Sequence, residues 1–380
     1  MAKTDEADAL NIKSDIAVSR KPVTDVPGTD VSILMNPGPE KRQDMTGFDE
    51  DYVDIVDYIV RCTHKIWEER GLGLIYDHYQ HNVLIHTSDG QTMERDKVVA
   101  DSIKTMAAFP NIRLYADDVI WSGDAAGGFH SSHRITWTGR NTGYSIYGPP
   151  TGRKVVRQGI AHCLVKANRV VEEWICRDEL ALVQQLGLEP IGLAKKMALR
   201  DARGGGRPPV WATGEVERLH GQVQPERLPD ADMTDPKTSD PEAYVKTMLH
   251  NVWNRRMIGD VDRYYAPHLY ARTPGHRISY GLGDYKAFVV GLVAAFPDLA
   301  LVVDHQCHVG DAETGYRVAT RWFLNGTHDG PGPYGEPSGR PVTAWGVAHH
   351  EIRDGKIERE WFIFDVFALL KQIYWPVGEA

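Results

Sequence analysis

Apolar residues recur at helical spacing in DYVDIVDYIVRCTHKIWEER (51–70), where Val53, Val56, Ile59, Val60 and Ile66 form a stripe that predicts an amphipathic helix. PEAYVKTMLHNVWNRRM (241–257) has the same character, and Asp240 with Pro241 supplies a cap and a first-turn proline. A shorter helix is predicted in each half, RDKVVADSIKTMAAF (95–109) and LGDYKAFVVGLVAAF (282–296), each leading into an FP dipeptide. β-prone runs follow: NIRLYADDVIW (111–121), GGFHSSHRITWTG (127–139), RKVVRQGIAHCLV (153–165) and RVVEEWICRD (169–178). Helices followed by strands give an α+β layout.

The pattern occurs twice. FPNIRLYADDVIWSGD (109–124) matches FPDLALVVDHQCHVGD (296–311), and YGPPTGRKV (147–155) matches YGEPSGRPV (334–342). GIAHCLVKANRVVEEWICRD (159–178) matches GVAHHEIRDGKIEREWFIFD (346–365). All three pairs lie 187 residues apart, and Trp67 and Trp253 lie 186 apart. Three matches in one register indicate a tandem duplication. The expected organisation is an N-terminal arm (1–47), a first unit (48–190), a Gly- and Pro-rich linker (191–239) with one short helix at LAKKMALR, and a second unit (240–376).

Composition narrows the class. Of 380 residues 42% are hydrophobic and 25% charged, as in ordinary globular proteins. The formal charge of −9 argues against a nucleic-acid-binding surface, which needs clustered Lys and Arg. Four cysteines without a CxxC pair give neither a disulfide framework nor a zinc signature. No apolar run approaches a membrane span, and the acidic start MAKTDEADALNIKSD is not a signal peptide, so the expectation is a cytoplasmic protein.

The FPD before a long strand, GTH at 326–328, GEPSGRPV at 335–342, DGKI with Trp361 at 354–361 and DELALVQQLG at 178–187 resemble the SnoaL-like branch of the NTF2-like superfamily, over both repeats. That resemblance implies two NTF2-like (cystatin-like) cone-shaped α+β barrels, each a curved antiparallel sheet wrapped on helices. It also implies polyketide-cyclase-type chemistry, in which an Asp at the end of the last strand is the acid/base and a His on the neighbouring strand assists. Members commonly pair sheet to sheet, so the two repeats are expected to form an intramolecular pseudo-dimer; a further homo-oligomer stays open.

The last hairpin carries the candidate chemistry. With Asp354-Gly355 as a two-residue turn, an unbroken register sets His350, Trp361 and Asp365 on one face. His349, Val347, Trp345, Phe362 and Phe364 fall on the other, apolar face, which needs a cover. Repeat 1 has Cys163 in place of His350, with Trp174, Cys176 and Asp178 on the pocket face, and His86 as a substitute histidine from another strand. The catalytic candidates are therefore Asp365, His350, Asp178 and His86. Trp361, Trp253, Tyr265, Arg272, Trp174, Trp67, Tyr79 and His133 are candidates for lining an aromatic substrate. Asp178 and Asp365 also precede helical segments, so an N-cap role stands beside the catalytic one. No HxH or HExxH spacing occurs, and no metal or other cofactor is expected. The function expected is a cofactor-independent acid/base enzyme acting on a hydroxylated aromatic or polyketide-like small molecule, by aldol cyclisation, retro-aldol (lyase) cleavage or dehydration. The alternative is a non-catalytic small-molecule-binding or scaffold protein.

Overall fold

The computed structural model describes residues 21–208 and 240–376. Most of the expected linker, the first 20 residues of the expected arm and the last four residues of the chain lie outside the described residues. Each half opens with the predicted amphipathic helix, Ile55–Thr63 or Pro241–Leu249, capped by Asp54 or Asp240. Asp240 accepts the Ala243 N–H at 2.9 Å, as its position before Pro241 led us to expect. Both helices continue into a π-helical turn, His64–Glu68 and His250–Asn254. The second helices are Arg95–Ala108 and Gly281–Ala295.

The first sheet consists of β1 (Tyr79–Thr87), β2 (Gly90–Met93), β3 (Arg113–Asp124), β4 (Gly128–Arg140), β5 (Lys154–Lys166) and β6 (Arg169–Arg177), in the order β2-β1-β6-β5-β4-β3. The second consists of β7 (Tyr265–Thr273), β8 (Arg277–Tyr280), β9 (Ala300–Asp311), β10 (Gly315–His328), β11 (Arg340–Arg353) and β12 (Lys356–Phe364), in the equivalent order. The sheets are mixed rather than purely antiparallel: β1 pairs with β6, and β7 with β12, in parallel. The segment expected to be mainly linker begins with a long helix, Pro190–Arg203, which packs on the C-terminal helix Val366–Ile373. The arm lies on the first unit, with Val26, Leu34 and Met45 buried in its core.

One local feature decides which residues face where. The β11–β12 turn at Asp354-Gly355 has both φ angles positive, as a DG hairpin turn requires. Ile352 still faces Ile357, but the register then shifts, so that Glu351 faces Arg359 and His350 faces Glu360. Glu358 is the extra residue of a β-bulge. Repeat 1 has the same bulge, between Leu164 and Val165, after a turn in which Ala167 and Asn168 take positive φ. A one-residue slip moves every later side chain of the strand to the opposite face.

The two sheets pack against each other with internal pseudo-two-fold symmetry. Arg134 of β4 lies 3.6 Å from the Trp361 ring centroid of β12, and its mate Arg321 of β10 lies 4.3 Å from Trp174 of β6. Cys176 and Ile363, themselves 187 apart, meet with Sγ to carbonyl at 3.4 Å. Reciprocal contacts of this kind define an isologous interface. Trp174, Ile160 and Cys176 of the first unit share one apolar core with the second. The other repeat thus covers Trp345 and His349 of the expected outer face, whereas Phe362 and Phe364, expected beside them, lie inside the cone.

Candidate functional site

The bulge corrects the expected grouping. His350 shares the interior of the second cone with Glu360, Phe362 and Phe364, whereas Trp361 lies with His349 at the interface between the repeats. Trp361 is therefore not a wall of a pocket containing His350, and Asp365 does not share that face.

Inside the second cone is a buried polar cluster. Glu360 and His350 are fully buried, and His350 Nε2 lies 3.2 Å from Glu360 Oε1. The Tyr265 hydroxyl donates to Glu360 Oε2 at 3.1 Å and lies 2.8 Å from the Tyr285 hydroxyl. Burial, followed by the charge of Glu360, pushes both phenols well above their ordinary value and keeps them protonated. Trp253, 5.3 Å from Phe362 and nearly parallel to it, and Trp322 form the aromatic wall. His350 Nδ1 is buried without a hydrogen-bond partner. A carboxylate oxygen accepts, so the His350 tautomer that bonds Glu360 carries its proton on Nε2 and presents a lone pair at Nδ1. An imidazole oriented by an acid through one nitrogen, with the other left without a partner, matches the arrangement of a general base.

The first cone keeps half of this set. Tyr79 donates to Glu173 at 3.1 Å, and Cys163, its thiol raised by burial, stands in place of His350. His86 does not reach Glu173: it stacks on Trp174 with centroids 3.4 Å apart and bonds Glu172 at 2.7 Å. Trp174, Cys176 and Asp178 lie on the interface side rather than on the expected pocket face. Trp67 donates to Ser102 at 3.2 Å. Arg272 donates to the Tyr270 hydroxyl at 2.7 Å and meets His276 at 3.1 Å. His133 lines a cleft of ≈ 170 Å³ between the arm helix Val31–Met35 and the first unit, together with Leu34, Val60, His64 and Ile135, and burial lowers its pKa to about 3.

Both aspartates are helix N-caps turned toward the other repeat. Asp178 accepts from Ala181 N at 3.1 Å and, across the interface, from Gly275 N at 2.9 Å and His276 N at 2.8 Å. Asp365 accepts from Ala368 N at 3.0 Å. Caps usually lower a carboxyl pKa, yet burial raises both, and for Asp365 the charges of Glu179 and Asp89 from the first unit add to it. Glu360 itself escaped the sequence reading. The signal that could have found it is the acid directly before Trp at the same place in both repeats, Glu173 and Glu360.

The family model for SnoaL-like polyketide cyclase matches residues 58–186 and again 243–373. Among solved structures, TsrD from Streptomyces laurentii is 21% identical, with 36% of this chain and 98% of that chain covered and a TM-score of 0.32. A SnoaL-like polyketide cyclase from Agrobacterium tumefaciens is 21% identical, with 34% and 95% covered and a TM-score of 0.28. None of the curated proteins matches the chain. Two matched segments, one on each cone, show that the chain belongs to the SnoaL-like polyketide cyclase family and carries its domain twice.

Proposed function

We propose that the second cone is a cofactor-independent acid/base centre in which His350, oriented by Glu360, is the general base. The supporting observation is the buried His350 Nδ1, left without a partner while Nε2 is held by Glu360. In this reading Nδ1 takes a proton from a carbon next to a carbonyl, and the C–H electron pair forms an enolate. The enolate carbon attacks a second carbonyl of the same molecule, and the new alkoxide takes the proton back from the imidazolium. The reverse sequence is retro-aldol cleavage; in dehydration Nδ1 takes a remaining α-proton, the C–H pair forms the C=C bond, and the hydroxyl leaves as water with the proton returned by the imidazolium. The Tyr265 and Tyr285 hydroxyls supply O–H donors beside the base. The aromatic wall of Trp253, Trp322 and Phe362 suits a hydroxylated aromatic or polyketide-like substrate. The first cone, without the histidine, acts as the partner domain.

The complete burial of Glu360 favours a second reading, in which the cluster specifies the core of a non-catalytic scaffold. Turnover of poly-β-carbonyl aromatic compounds separates the two. The catalytic reading expects His350→Gln and Glu360→Gln each to lose activity by at least about 100-fold, the scale of general acid/base catalysis. Asp365→Asn, tested in parallel as the remaining carboxylate candidate, is expected to retain activity. Wild-type rates in folded His350→Gln would reject the base.

A further inference from the structure

A second histidine cluster lies away from this centre. His130 of β4 and His162 of β5 meet His305 of β9, and one ring nitrogen from each lies within 4.8 Å of the others. Ring centroids are 4.3 Å apart for His130–His305, 4.9 Å for His162–His305 and 6.2 Å for His130–His162. His162 is 1% exposed, and neither of its ring nitrogens has a hydrogen-bond partner; Nδ1 of His130 and of His305 also has none. Buried polar atoms are normally paired, so four orphaned nitrogens in one place need an explanation.

The pseudo-symmetry sharpens the point. The residues 187 positions away from His130, His162 and His305 are Arg317, His349 and Asp118. That trio carries opposite charges: Arg317 lies 3.6 Å from Asp118 and His349 Nδ1 lies 4.0 Å from it, while His349 Nε2 meets Ser132 at 2.8 Å, although Asp118 Oδ1 and His349 Nδ1 also lack a hydrogen-bond partner. At the mirrored place the acid and the guanidinium are both replaced by imidazole, so no internal ion pair can form.

We propose that His130, His162 and His305 form a transition-metal site of the Zn²⁺ class that clamps the two repeats together, with water as the fourth ligand. Imidazole suits Zn²⁺, Ni²⁺, Co²⁺ and Cu²⁺. A tetrahedral ion with Zn–N of about 2.0–2.1 Å draws the three nitrogens to about 3.4 Å from one another, a contraction within reach of side-chain rotation. Binding needs neutral ligands; burial holds all three histidines below their ordinary pKa, His305 at about 4. Lys166 acts on His130, and Arg321 is the cation that acts on all three histidines. It is engaged by Asp304 at 2.6 Å and stacked on Trp174, and the acidic Glu172 also faces His130. The ligands come from three strands of two repeats, which is why no short sequence spacing announces the site. It holds no catalytic group of the second cone, so its failure would leave the base assignment untouched.

The test uses the full chain after chelator treatment, with Zn²⁺ titrated calorimetrically and Co²⁺ followed by its visible absorption. The expected result is one ion per chain, a tetrahedral Co²⁺ spectrum and a rise in thermal midpoint. His130→Gln and His305→Gln, both only half-buried, are expected to fold and to weaken binding by at least about tenfold, the loss already caused by removing a mere supporting residue of a metal site. Exposed His268→Gln serves as the control. Absence of saturable binding of either ion to wild type, or undiminished binding in both variants, overturns the proposal.

Discussion

Asp178 separates a structural from a chemical role for the strand-end carboxylates. Its Oδ1 accepts from Ala181 and Gly275, and its Oδ2 from His276, so one side chain caps the helix Glu179–Gln185 and holds the β7–β8 turn of the other repeat. Replacement by Ala removes the cap, worth about 1 kcal/mol. It also leaves two amides of the opposing turn without their acceptor, at about 1–3 kcal/mol each when water is excluded. Gly275 is only partly buried and His276 is exposed, which favours the low end of that range. Removing a carboxylate that is costly to bury returns part of the loss, since its pKa is raised chiefly by desolvation. The net expectation for Asp178→Ala is a loss of about 2–3 kcal/mol. Asp178→Asn keeps Oδ1 and turns an N–H toward His276 N–H, which costs one bond, about 1 kcal/mol. Urea unfolding followed by tryptophan fluorescence and by circular dichroism gives both values, and the shared core predicts coincident transitions. Asp178→Ala within about 0.5 kcal/mol of wild type, the scatter of an ordinary surface substitution, would refute the latch. Loss of turnover in a fully stable Asp178→Asn would restore the catalytic reading.

The mirrored tryptophans Trp361 and Trp174 are buried under Arg134 and Arg321; each Trp→Ala change is expected to cost about 3–5 kcal/mol, read by urea midpoint, and an effect below about 1 kcal/mol would deny that the interface is core. A Cβ on Gly346 would sit 2.4 Å from a Trp322 ring atom and 2.5 Å from the Ile363 carbonyl, so Gly346→Ala is expected to destabilise by at least about 1–3 kcal/mol. Asp118, buried at the interface, is raised by desolvation to about 6 despite Arg317 and Arg134, with Glu351 and Asp25 pushing the same way as burial and His349 alongside. Its folded pKa exceeds the unfolded value, so the native state binds a proton that the unfolded chain does not. That contribution is full below about pH 4 and lost as pH rises through about 6, a change of about 3 kcal/mol at 1.36 kcal/mol per unit. Asp118→Asn is expected to flatten this step in urea midpoints taken across that window.

The duplication and the α+β order were legible because each rests on patterns many residues long, and the sheet-to-sheet pairing followed from the family resemblance. Helical periodicity located both helices in each half, and Asp354-Gly355 located the turn. The site was less legible because one residue governs it. Nothing in the side chains of KIEREW marks Glu358 as the bulge, yet its insertion sends Glu360 into the cone and Trp361 to the interface. His350 was placed in the interior by strand alternation from the turn, on the stretch before the bulge acts. The cross-repeat bonds of Asp178 depend on where the β7–β8 turn of the other repeat arrives, which only tertiary packing decides. The histidine trio is of the same kind: three strands and two repeats meet, with no spacing to read.

The central claim is that a proton leaves carbon for His350 Nδ1 in the second cone. Deuterium wash-in measures that step without requiring ring closure: a β-dicarbonyl aromatic compound is incubated with enzyme in D₂O and followed by NMR at the carbon between the carbonyls. We predict rapid exchange with wild type and with Glu173→Gln of the first cone, and exchange near the uncatalysed rate with His350→Gln and Glu360→Gln. Equal exchange in all four folded proteins would contradict the account.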